Sequence, residues 1–389
     1  MKATQLDRGL LYLMAAGAGL VVANNYYNQP LLNLMAKTFS VTEAQVSNIP
    51  LATQLGYAFG LLFIIPLGDK FSRRTIILID FVAIIGSLLV TAMAPSLTVL
   101  TISSFCVGFS SVVPQLFVPM AAQLATEENR GKAIGIVMSG LLIGILGSRF
   151  LSGMVGEYFG WRFMYYVAAV IMLIYAALLY FKLPDVATNF KGTYAQLMQS
   201  LLQLVKTKPE VRIAALRGAL GFAGFSAFWT TLVFLMETNF GYGSGAAGLF
   251  GILGMIGALG ATLSGKLNDK YNSKKLIYLF TGILVLSWIV FQFSGTSILG
   301  LVIGVLAVDF GLQCLHVTNQ NIIFKQNPEA RNRVNTIYMV IYFIGGALGT
   351  VTGAYAWQHY QWTGVATLGL GYSILIIVLQ FLFQWKHKS

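Results

Sequence analysis

The chain contains Leu67-Gly68-Asp69-Lys70-Phe71-Ser72-Arg73-Arg74 and, much later, Leu267-Asn268-Asp269-Lys270-Tyr271-Asn272-Ser273-Lys274. The two stretches share a leading Leu, an Asp-Lys pair, an aromatic residue and a basic residue at the end. Each copy lies between two long apolar segments, where a short loop joining membrane-spanning helices is expected. A repeat of this kind predicts a chain made of two similar halves.

Composition excludes a water-soluble protein. Apolar residues make up 57% of the 389 residues, and charged residues only 10%. A soluble domain has about 25% charged residues, which cover the surface that faces water. This chain has too few charged residues for such a surface, and it is therefore predicted to be an integral membrane protein.

Twelve apolar stretches follow one another along the chain, and we call them segments 1 to 12. Each is close to the ~20 residues that a helix needs to cross ~30 Å of hydrocarbon. They are continuous apolar runs and lack the alternation of barrel strands, so helices are expected. The sequence thus predicts an all-α, polytopic membrane protein with twelve transmembrane helices at about 9–34, 46–66, 75–94, 97–123, 133–156, 162–182, 212–237, 244–265, 275–294, 297–324, 334–358 and 363–385.

The positive charges are distributed unevenly between alternate loops. The net charge is +12, which by itself would suit a nucleic-acid partner. However, one set of alternate loops holds 21 of the 25 Lys and Arg residues, and the opposite loops hold only Lys37 and Arg162. Cytoplasmic loops of membrane proteins carry such an excess. We therefore expect both termini to be cytoplasmic, in a multi-pass protein of the cytoplasmic (inner) membrane whose partner is the lipid bilayer and not nucleic acid.

The one long polar interruption, residues 183–211, divides the chain. It separates an N-terminal six-helix bundle at 1–182 from a C-terminal six-helix bundle at 212–389. Within this linker, Tyr194, Leu197 and Leu201 recur at helical spacing among polar residues, which predicts a short amphipathic helix on the cytoplasmic membrane face. The linker is too short for a catalytic domain.

The chain resembles the major facilitator superfamily of transporters over its whole length. In that family the loop motif joins helices 2 and 3, and a degenerate copy joins helices 8 and 9, as in this chain. The family pattern matches at Asp69, Arg73 and Arg74, but Ile65 stands where the family has its first Gly. The resemblance implies two pseudo-symmetric six-helix bundles around a central cavity lined by helices 1, 4, 7 and 10.

The loop motif suggests a latch on the cytoplasmic side. An Asp in a tight turn can accept charge-assisted hydrogen bonds from a helix N-terminus or from Arg. We expect Asp69, Arg73, Arg74 and the repeat residue Asp269 to form contacts in one conformation that break in the other, with Glu127 or Glu128 as partners of the arginines. The alternative is that these are plain topogenic charges.

Further segments resemble the drug:proton antiporter branch of the superfamily and the sugar-efflux-like permeases. They are 23–32, 54–57 and the glycine-rich run 139–147. The kinking Pro of the antiporter signature is absent, because Gly144 is followed by Ile145. The Arg that the branch often carries on helix 4 is Ser104 here, and we expect Arg149 on segment 5 to supply a positive charge in its place.

Glycines keep one side of segments 5 and 11 thin. They are Gly140, Gly144, Gly147, Gly153 and Gly156 in segment 5, and Gly345, Gly346, Gly349 and Gly353 in segment 11. Small residues let helices approach closely. We expect these surfaces to lie between the two halves and to slide during transport, unless they serve only static packing.

Segment 10 carries four polar residues at spacings of four, three and four, which places them on one helical face: Asp309, Gln313, His316 and Gln320. Polar side chains inside a membrane usually face a cavity. Asp309 lies near the middle of the bilayer, where desolvation disfavours a charged carboxylate, and His titrates near neutral pH. Asp309 and His316, with Arg149, are the predicted proton-coupling residues. The alternative is a structural ion pair between Asp309 and Arg149.

Other polar and aromatic residues within the segments are candidates for the cavity wall and the substrate. Some could instead belong to an aromatic belt or face lipid. Arg217 and Asp80 lie near cytoplasmic boundaries and are attributed to snorkelling or local pairing, not to the site. The predicted substrate-binding set is Asn24, Asn25, Tyr27, Gln54, Tyr57, Gln115, Phe225, Trp229, Gln313, Gln320, Tyr338 and Tyr342.

A membrane-embedded enzyme is the other class of function to consider. The three histidines have no metal-ligand spacing, and no phosphate-binding loop of the glycine-rich Lys type is present. We therefore expect no enzyme and no cofactor or metal. The predicted function is secondary active transport of a small drug-like molecule or metabolite by a monomer, as proton-coupled efflux. The alternatives are sugar or amino-acid export, and proton symport or uniport of a small metabolite.

Overall fold

The computed structural model describes residues 7–186, 192–257, 259–327 and 330–386, which are helical throughout apart from short turns. The first half contains α1 (Arg8–Ala23), a 3₁₀ turn (Gln29–Leu31), α2 (Leu32–Phe39), α3 (Glu43–Val46), α4 (Asn48–Phe63), α5 (Leu67–Lys70), α6 (Arg73–Met93), α7 (Leu97–Phe109), α8 (Pro114–Leu124), α9 (Arg130–Phe159) and α10 (Trp161–Lys182).

The linker and second half contain α11 (Tyr194–Thr207), α12 (Pro209–Phe240), α13 (Ser244–Gly257), α14 (Leu259–Lys270), α15 (Ser273–Gln292), α16 (Ile298–Gln326) and α17 (Arg331–Lys386). α17 consists of two arms, because its backbone turns sharply at Gln361, where φ is 53°. In the described residues, nine helical stretches are long and apolar enough to cross a membrane, and α1 and the start of α13 are shorter apolar helices. With the two arms of α17 counted separately, the chain is an all-α polytopic membrane protein of about twelve helices.

Segment 1 is broken in its outer part, where the sequence predicts one long helix. α1 ends at Ala23, and the side-chain amide of Asn24 donates to the carbonyls of Leu20 and Val21. These bonds satisfy carbonyls that a continuing helix would have used. Pro30 then begins a new turn, because it has no N–H to continue the earlier one.

Segment 4 is broken in a similar way. α7 ends at Phe109 and α8 begins at Pro114. In the turn between them, the hydroxyls of Ser110 and Ser111 donate to the carbonyls of Cys106 and Val107. Both breaks lie within membrane-spanning segments, and side chains there donate hydrogen bonds to the carbonyls at the helix ends.

The helices pack mainly within each half, and two pairs of helices make the most extensive contacts between the halves. α1 packs on α9, α4 on α7 and α6 on α10, while α12 packs on both arms of α17 and α15 on α16. Between the halves, α9 packs on α13 and α4 packs on α17. We call the side on which α1 begins and α17 ends the terminal face, and the other side the opposite face. The exact boundary of the two bundles at 183–211 stays a prediction.

The linker contains the predicted amphipathic helix. The Thr193 hydroxyl caps α11, and Gln196 returns a bond to the Thr193 backbone N–H. Leu197 and Leu201 are buried, and α11 packs against α12 and α17. The Tyr194 hydroxyl donates to the carbonyl of Phe63 in the first half. α11 therefore bridges both halves at the terminal face instead of lying only on lipid.

Most of the glycines of segments 5 and 11 pack inside one half, so the expectation that they separate the halves was largely wrong. Gly144 meets Gly19 of α1, and Gly349 meets Ala223 of α12. Only the outer end of α9 fits the expectation, since Gly153 lies against Gly248 of α13. Sequence shows that a helix surface is thin, but not which helix approaches it.

We expect Gly349→Ala to destabilise the protein. A Cβ at this position would lie 2.0 Å from the backbone oxygen of Ala223, so α12 and α17 would have to separate. Overpacking of this kind costs about 1–3 kcal/mol, which should lower the melting temperature of the purified protein. Gly371→Ala in the same helix is the control, because its Cβ would meet open space and alanine favours helix by about 1 kcal/mol. Equal melting temperatures for the two variants would contradict the packing.

Candidate functional site

A central cavity of about 360 Å³ lies between the two halves. Its wall is mostly apolar and aromatic, with contributions from α8, α9, α12, α16 and α17. The rings of Phe222 and Tyr342 are stacked with their centroids 4.2 Å apart, and Phe343 lies against both. A cavity of this size, with few polar groups, is typical of a site for a small organic molecule.

The cavity continues toward the terminal face. A second cavity of about 630 Å³ shares Gln115, Ile134, Phe324 and Met339 with the first, and extends to the motif residues Asp69 and Arg73. Leu197 and Leu201 of α11 also line this outer cavity, which we call the vestibule. The central cavity is therefore reached from the terminal face.

The opposite face is closed by contacts between the halves. The Lys37 ammonium lies 2.5 Å from the Glu237 carboxylate, and the Trp357 indole N–H donates to Glu43. In addition, the Glu157 carboxylate accepts from the backbone N–H of Gly245 at 2.7 Å, at the start of α13. A carboxylate at a helix N-terminus is stabilised by the unpaired N–H groups there. The structure is thus open at the terminal face and closed at the opposite face.

Asp309 lies at the inner end of the cavity. It lines the wall, yet only 6% of its surface is exposed. Its Oδ2 has no hydrogen-bond partner, and within the described residues Asp309 forms no ion pair. The position of Gly254 allows this packing, since a Cβ there would lie 3.0 Å from Oδ2. A carboxylate that is not held in an ion pair can exchange a proton without first breaking one.

Arg149 lies behind the cavity wall and not in it. It is fully buried, and its Nε donates to the Gln29 amide oxygen at 2.7 Å. The guanidinium stacks on Trp229 at 4.0 Å and on Tyr26 at 4.8 Å, which is cation–π geometry. The structural ion pair with Asp309 considered from sequence is not present. Instead, Arg149 joins the first half to the aromatic residues of α12.

The other three residues of the polar stripe also line the cavity. Nδ1 of His316 lies 3.0 Å from the Tyr338 hydroxyl, and its ring packs on Tyr342. Nε2 of Gln320 donates to the Asn335 amide oxygen at 3.0 Å. Gln313 lies between them along α16. The stripe therefore faces the cavity along its whole length, as a helical face of four polar residues should.

Several further candidates lie in the cavity wall or join the halves beside it. Gln115, Phe225 and Tyr342 line the wall. The Gln54 amide donates to Ser226 and accepts from Thr350, so it links α4 to both α12 and α17. The Tyr57 ring lies 4.4 Å from that of Phe343. These residues are positioned to respond when the two halves move.

Five further candidates lie outside the cavity lining, as Gln54 and Tyr57 do. Asn24 bonds to its own helix, and the side-chain atoms of Asn25 are buried without partners. Tyr27 is buried in the first half, Trp229 stacks on Arg149, and Tyr338 lies behind His316. Aromatic and amide residues in a membrane segment mark a polar interior, but their pattern does not show which of them reach the cavity surface.

The motif residues at the terminal face have different partners from those expected. Arg73 lies 3.8 Å from Asp69 and donates to the Gln123 amide and to the Gly68 carbonyl. Arg74 donates to the carbonyl of Tyr180. The expected partners Glu127 and Glu128 are replaced by these closer groups. The side chain of Asp269 lies outside the described residues.

The environment of Arg217 could not be inferred from the sequence. This residue of α12 is only 2% exposed, so it does not extend to the membrane surface as expected. Its Nε donates to the Asn319 amide oxygen at 3.0 Å, and its Nη1 to that of Gln380. The only sequence signal was a cation inside an apolar segment. Its partners come from α16 and from the second arm of α17, far away along the chain.

Comparison with known sequences identifies a family. The profile of the Major Facilitator Superfamily matches residues 14–350. A relative from Escherichia coli (strain K12) is named "Putative uncharacterized transporter YgaY". It is 42% identical to this chain, and the match covers 98% of this chain and 96% of the relative. The probable transporter SCO4007 of Streptomyces coelicolor is 31% identical, and the match covers 95% of this chain and 86% of that protein. A probable sugar efflux transporter of Pasteurella multocida is 26% identical, and the match covers 92% of this chain and 87% of that protein.

Solved structures share the fold. A bacterial homologue of the human lysosomal transporter Spinster, in an inward-facing and occupied conformation, superposes with a TM-score of 0.77 over 98% of this chain and 97% of that chain. The nucleoside transporter NupG superposes with a TM-score of 0.76, over 96% of this chain and 99% of the NupG chain. Both are 14% identical to this chain, so these two comparisons concern the fold alone.

Proposed function

Because the chain belongs to the Major Facilitator Superfamily, we propose that it exports a small organic solute across the cytoplasmic membrane in exchange for protons, by alternating access. One observation supports proton coupling above all. Asp309 lines a cavity that is open to one side of the membrane, and among the described residues its carboxylate forms no ion pair. Such a group can bind a proton in one conformation and release it in another.

The solute is a drug-like molecule or a metabolite with an apolar or aromatic body. The stacked rings of Phe222 and Tyr342, together with Phe225 and Phe343, offer such a body a large contact surface. Gln313, His316 and Gln320 then supply hydrogen bonds that orient it. A few polar groups in an apolar wall favour this class of ligand.

Sugar export is the second candidate. It is favoured by the similarity to the Pasteurella multocida relative, which is named a probable sugar efflux transporter. The amide groups of Gln115, Gln313 and Gln320 could bind hydroxyls. The largely apolar wall makes this candidate weaker than an apolar or aromatic solute.

In the proposed mechanism, residues 1–182 rock against residues 212–389 around the cavity. Protonation of Asp309 removes a buried charge and so changes the relative free energy of the two conformations. The terminal face is cytoplasmic in this scheme, and the vestibule is the entrance for the solute. Asp69, Arg73, Arg74 and Asp269 act as a latch when the vestibule closes, and the working unit is a monomer.

Transport by reconstituted protein tests the proposal. A thermal-shift screen of the purified protein against aromatic drugs, sugars and amino acids first identifies a ligand, because binding stabilises the folded state. Flux of that ligand in proteoliposomes is then measured with and without an imposed pH gradient. We expect the gradient to drive accumulation against the solute gradient. Flux that only equilibrates the solute would contradict proton coupling and indicate a uniporter.

A further inference from the structure

Arg217 is a buried cation without an anionic partner. Among the described residues no carboxylate lies within ion-pair distance of it, and its hydrogen bonds go to the neutral side chains of Asn319 and Gln380. Removing a charge from water costs several kcal/mol even after relaxation of the surroundings. The field of this cation therefore acts strongly on the polar groups next to it.

The orientation of Asn319 follows from this contact. Its amide oxygen accepts from Nε of Arg217, so its NH₂ group must point the other way. That nitrogen is buried and forms no hydrogen bond, and the Tyr338 side chain is close enough to interact with it. Asn319 is thus arranged to donate toward the oxygen of Tyr338.

Tyr338 lies between Asn319 and the cavity residue His316. It is fully buried, and its hydroxyl lies 3.0 Å from Nδ1 of His316. If the Tyr338 oxygen faces the NH₂ group of Asn319, the Tyr338 hydroxyl hydrogen can point at Nδ1 of His316. Gly218 leaves room for this arrangement, since a Cβ there would lie 2.7 Å from the Tyr338 oxygen. The two hydrogen bonds in the structure, from Arg217 to Asn319 and between Tyr338 and His316, can then both be directed toward the cavity.

We propose that Arg217, acting through Asn319 and Tyr338, fixes His316 as the tautomer whose Nε2–H faces the cavity and donates to an oxygen of the solute. A neutral imidazole that accepts at Nδ1 carries its hydrogen at Nε2. Resting on the proposed function, this assigns the solute an acceptor oxygen, such as a carboxylate or a carbonyl, next to its apolar body. Arg217 and Tyr338 are positioning residues.

This inference changes the role of His316. Sequence analysis proposed it as a proton carrier beside Asp309. With Nδ1 occupied by Tyr338, His316 instead presents a fixed donor, and the proton is carried by Asp309 alone. The two functions then lie at separate positions on α16, which are two helical turns apart.

Nitrogen NMR tests the tautomer without any transported solute. The chain has three histidines, at positions 316, 359 and 387, so protein labelled with ¹⁵N-histidine gives few signals. His316→Gln assigns those of His316. At neutral pH we expect a pyridine-like Nδ1 and a pyrrole-like Nε2. The reverse pattern, or two pyrrole-like nitrogens, would overturn the proposal.

Substitutions of Arg217 and Tyr338 test whether these residues fix the tautomer of His316. Tyr338→Phe and Arg217→Gln should both convert His316 to a mixture of tautomers. If Arg217→Gln does not fold, Tyr338→Phe still tests whether the hydrogen bond to Nδ1 fixes the tautomer. Tyr342→Phe is the matched control, because it also removes a hydroxyl beside the His316 ring but leaves Nδ1 bonded. An unchanged tautomer in Arg217→Gln would refute the role of Arg217, and an unchanged tautomer in Tyr338→Phe would refute that of the Tyr338 hydroxyl.

Small probes test the donor. Benzoate carries acceptor oxygens on a ring, and benzylamine carries a cation on the same ring. We expect saturating benzoate to shift the Nε2 signal and benzylamine to leave it unchanged. No shift with benzoate, or an equal shift with both, contradicts the assignment. These measurements do not depend on a pH gradient, so a failure of proton coupling in proteoliposomes would be recognised separately.

Discussion

Asp309→Asn should abolish gradient-driven transport while leaving exchange of solute across the membrane intact. The amide keeps the size of the side chain but can no longer bind and release a proton. We expect the flux driven by a pH gradient to fall about tenfold or more, which corresponds to at least ~1.4 kcal/mol of coupling free energy between proton and solute. Counterflow of labelled solute without a gradient should persist, because it needs only binding and the conformational change.

A matched control is available in the first half of the chain. Asp80 of α6 is also buried, with 4% of its surface exposed and an unpaired Oδ2, but it does not line the central cavity. Asp80→Asn should therefore leave gradient-driven flux largely unchanged when the folded protein is compared. Unchanged gradient-driven flux in Asp309→Asn, or an equal loss in both variants, would remove Asp309 from coupling.

Locking the opposite face should stop transport. Lys37 of α2 and Glu237 of α12 meet with their charged atoms 2.5 Å apart, and both side chains are accessible. In a background with Cys106→Ser and Cys314→Ser, the pair Lys37→Cys and Glu237→Cys should be joined by a short bifunctional thiol reagent. Because alternating access requires this face to open, we expect flux to fall to about a tenth or less.

The single-cysteine variants are the controls for this experiment. Each should react with the reagent and keep its transport activity, since losing one exposed ion pair costs no more than about 1 kcal/mol. Cleavage of a reducible cross-linker should restore the flux of the double variant. Full activity of a completely cross-linked protein would contradict the proposed movement of the two halves.

The class of the protein and its helix plan could be predicted from sequence because both depend on local properties. A membrane segment needs about 20 apolar residues whatever its neighbours are. The polar stripe on α16 was also visible, since helical periodicity places Asp309 and His316 on the same side of their own helix. The loop motif and its repeat indicated the family, which the comparison with known sequences then established.

Contacts between distant segments could not be predicted in this way. Arg217 looked like a cation near a membrane surface, but Asn319 and Gln380 enclose it. Arg149 looked like a partner of Asp309, but it stacks on Trp229 instead. In each case the partner lies at least 80 positions away, and only the packing of helices decides which side chains meet.

By itself, the sequence determined that this chain is a helical membrane protein with two related halves and a polar face on its tenth segment. These properties follow from hydropathy and from the repeat of 3.6 residues per turn. The tertiary structure alone decided which face of the cavity is open, which glycines join which helices, and which polar side chains enclose a buried arginine. Those properties depend on close packing between surfaces far apart in the chain, where a few ångströms decide whether two groups bond.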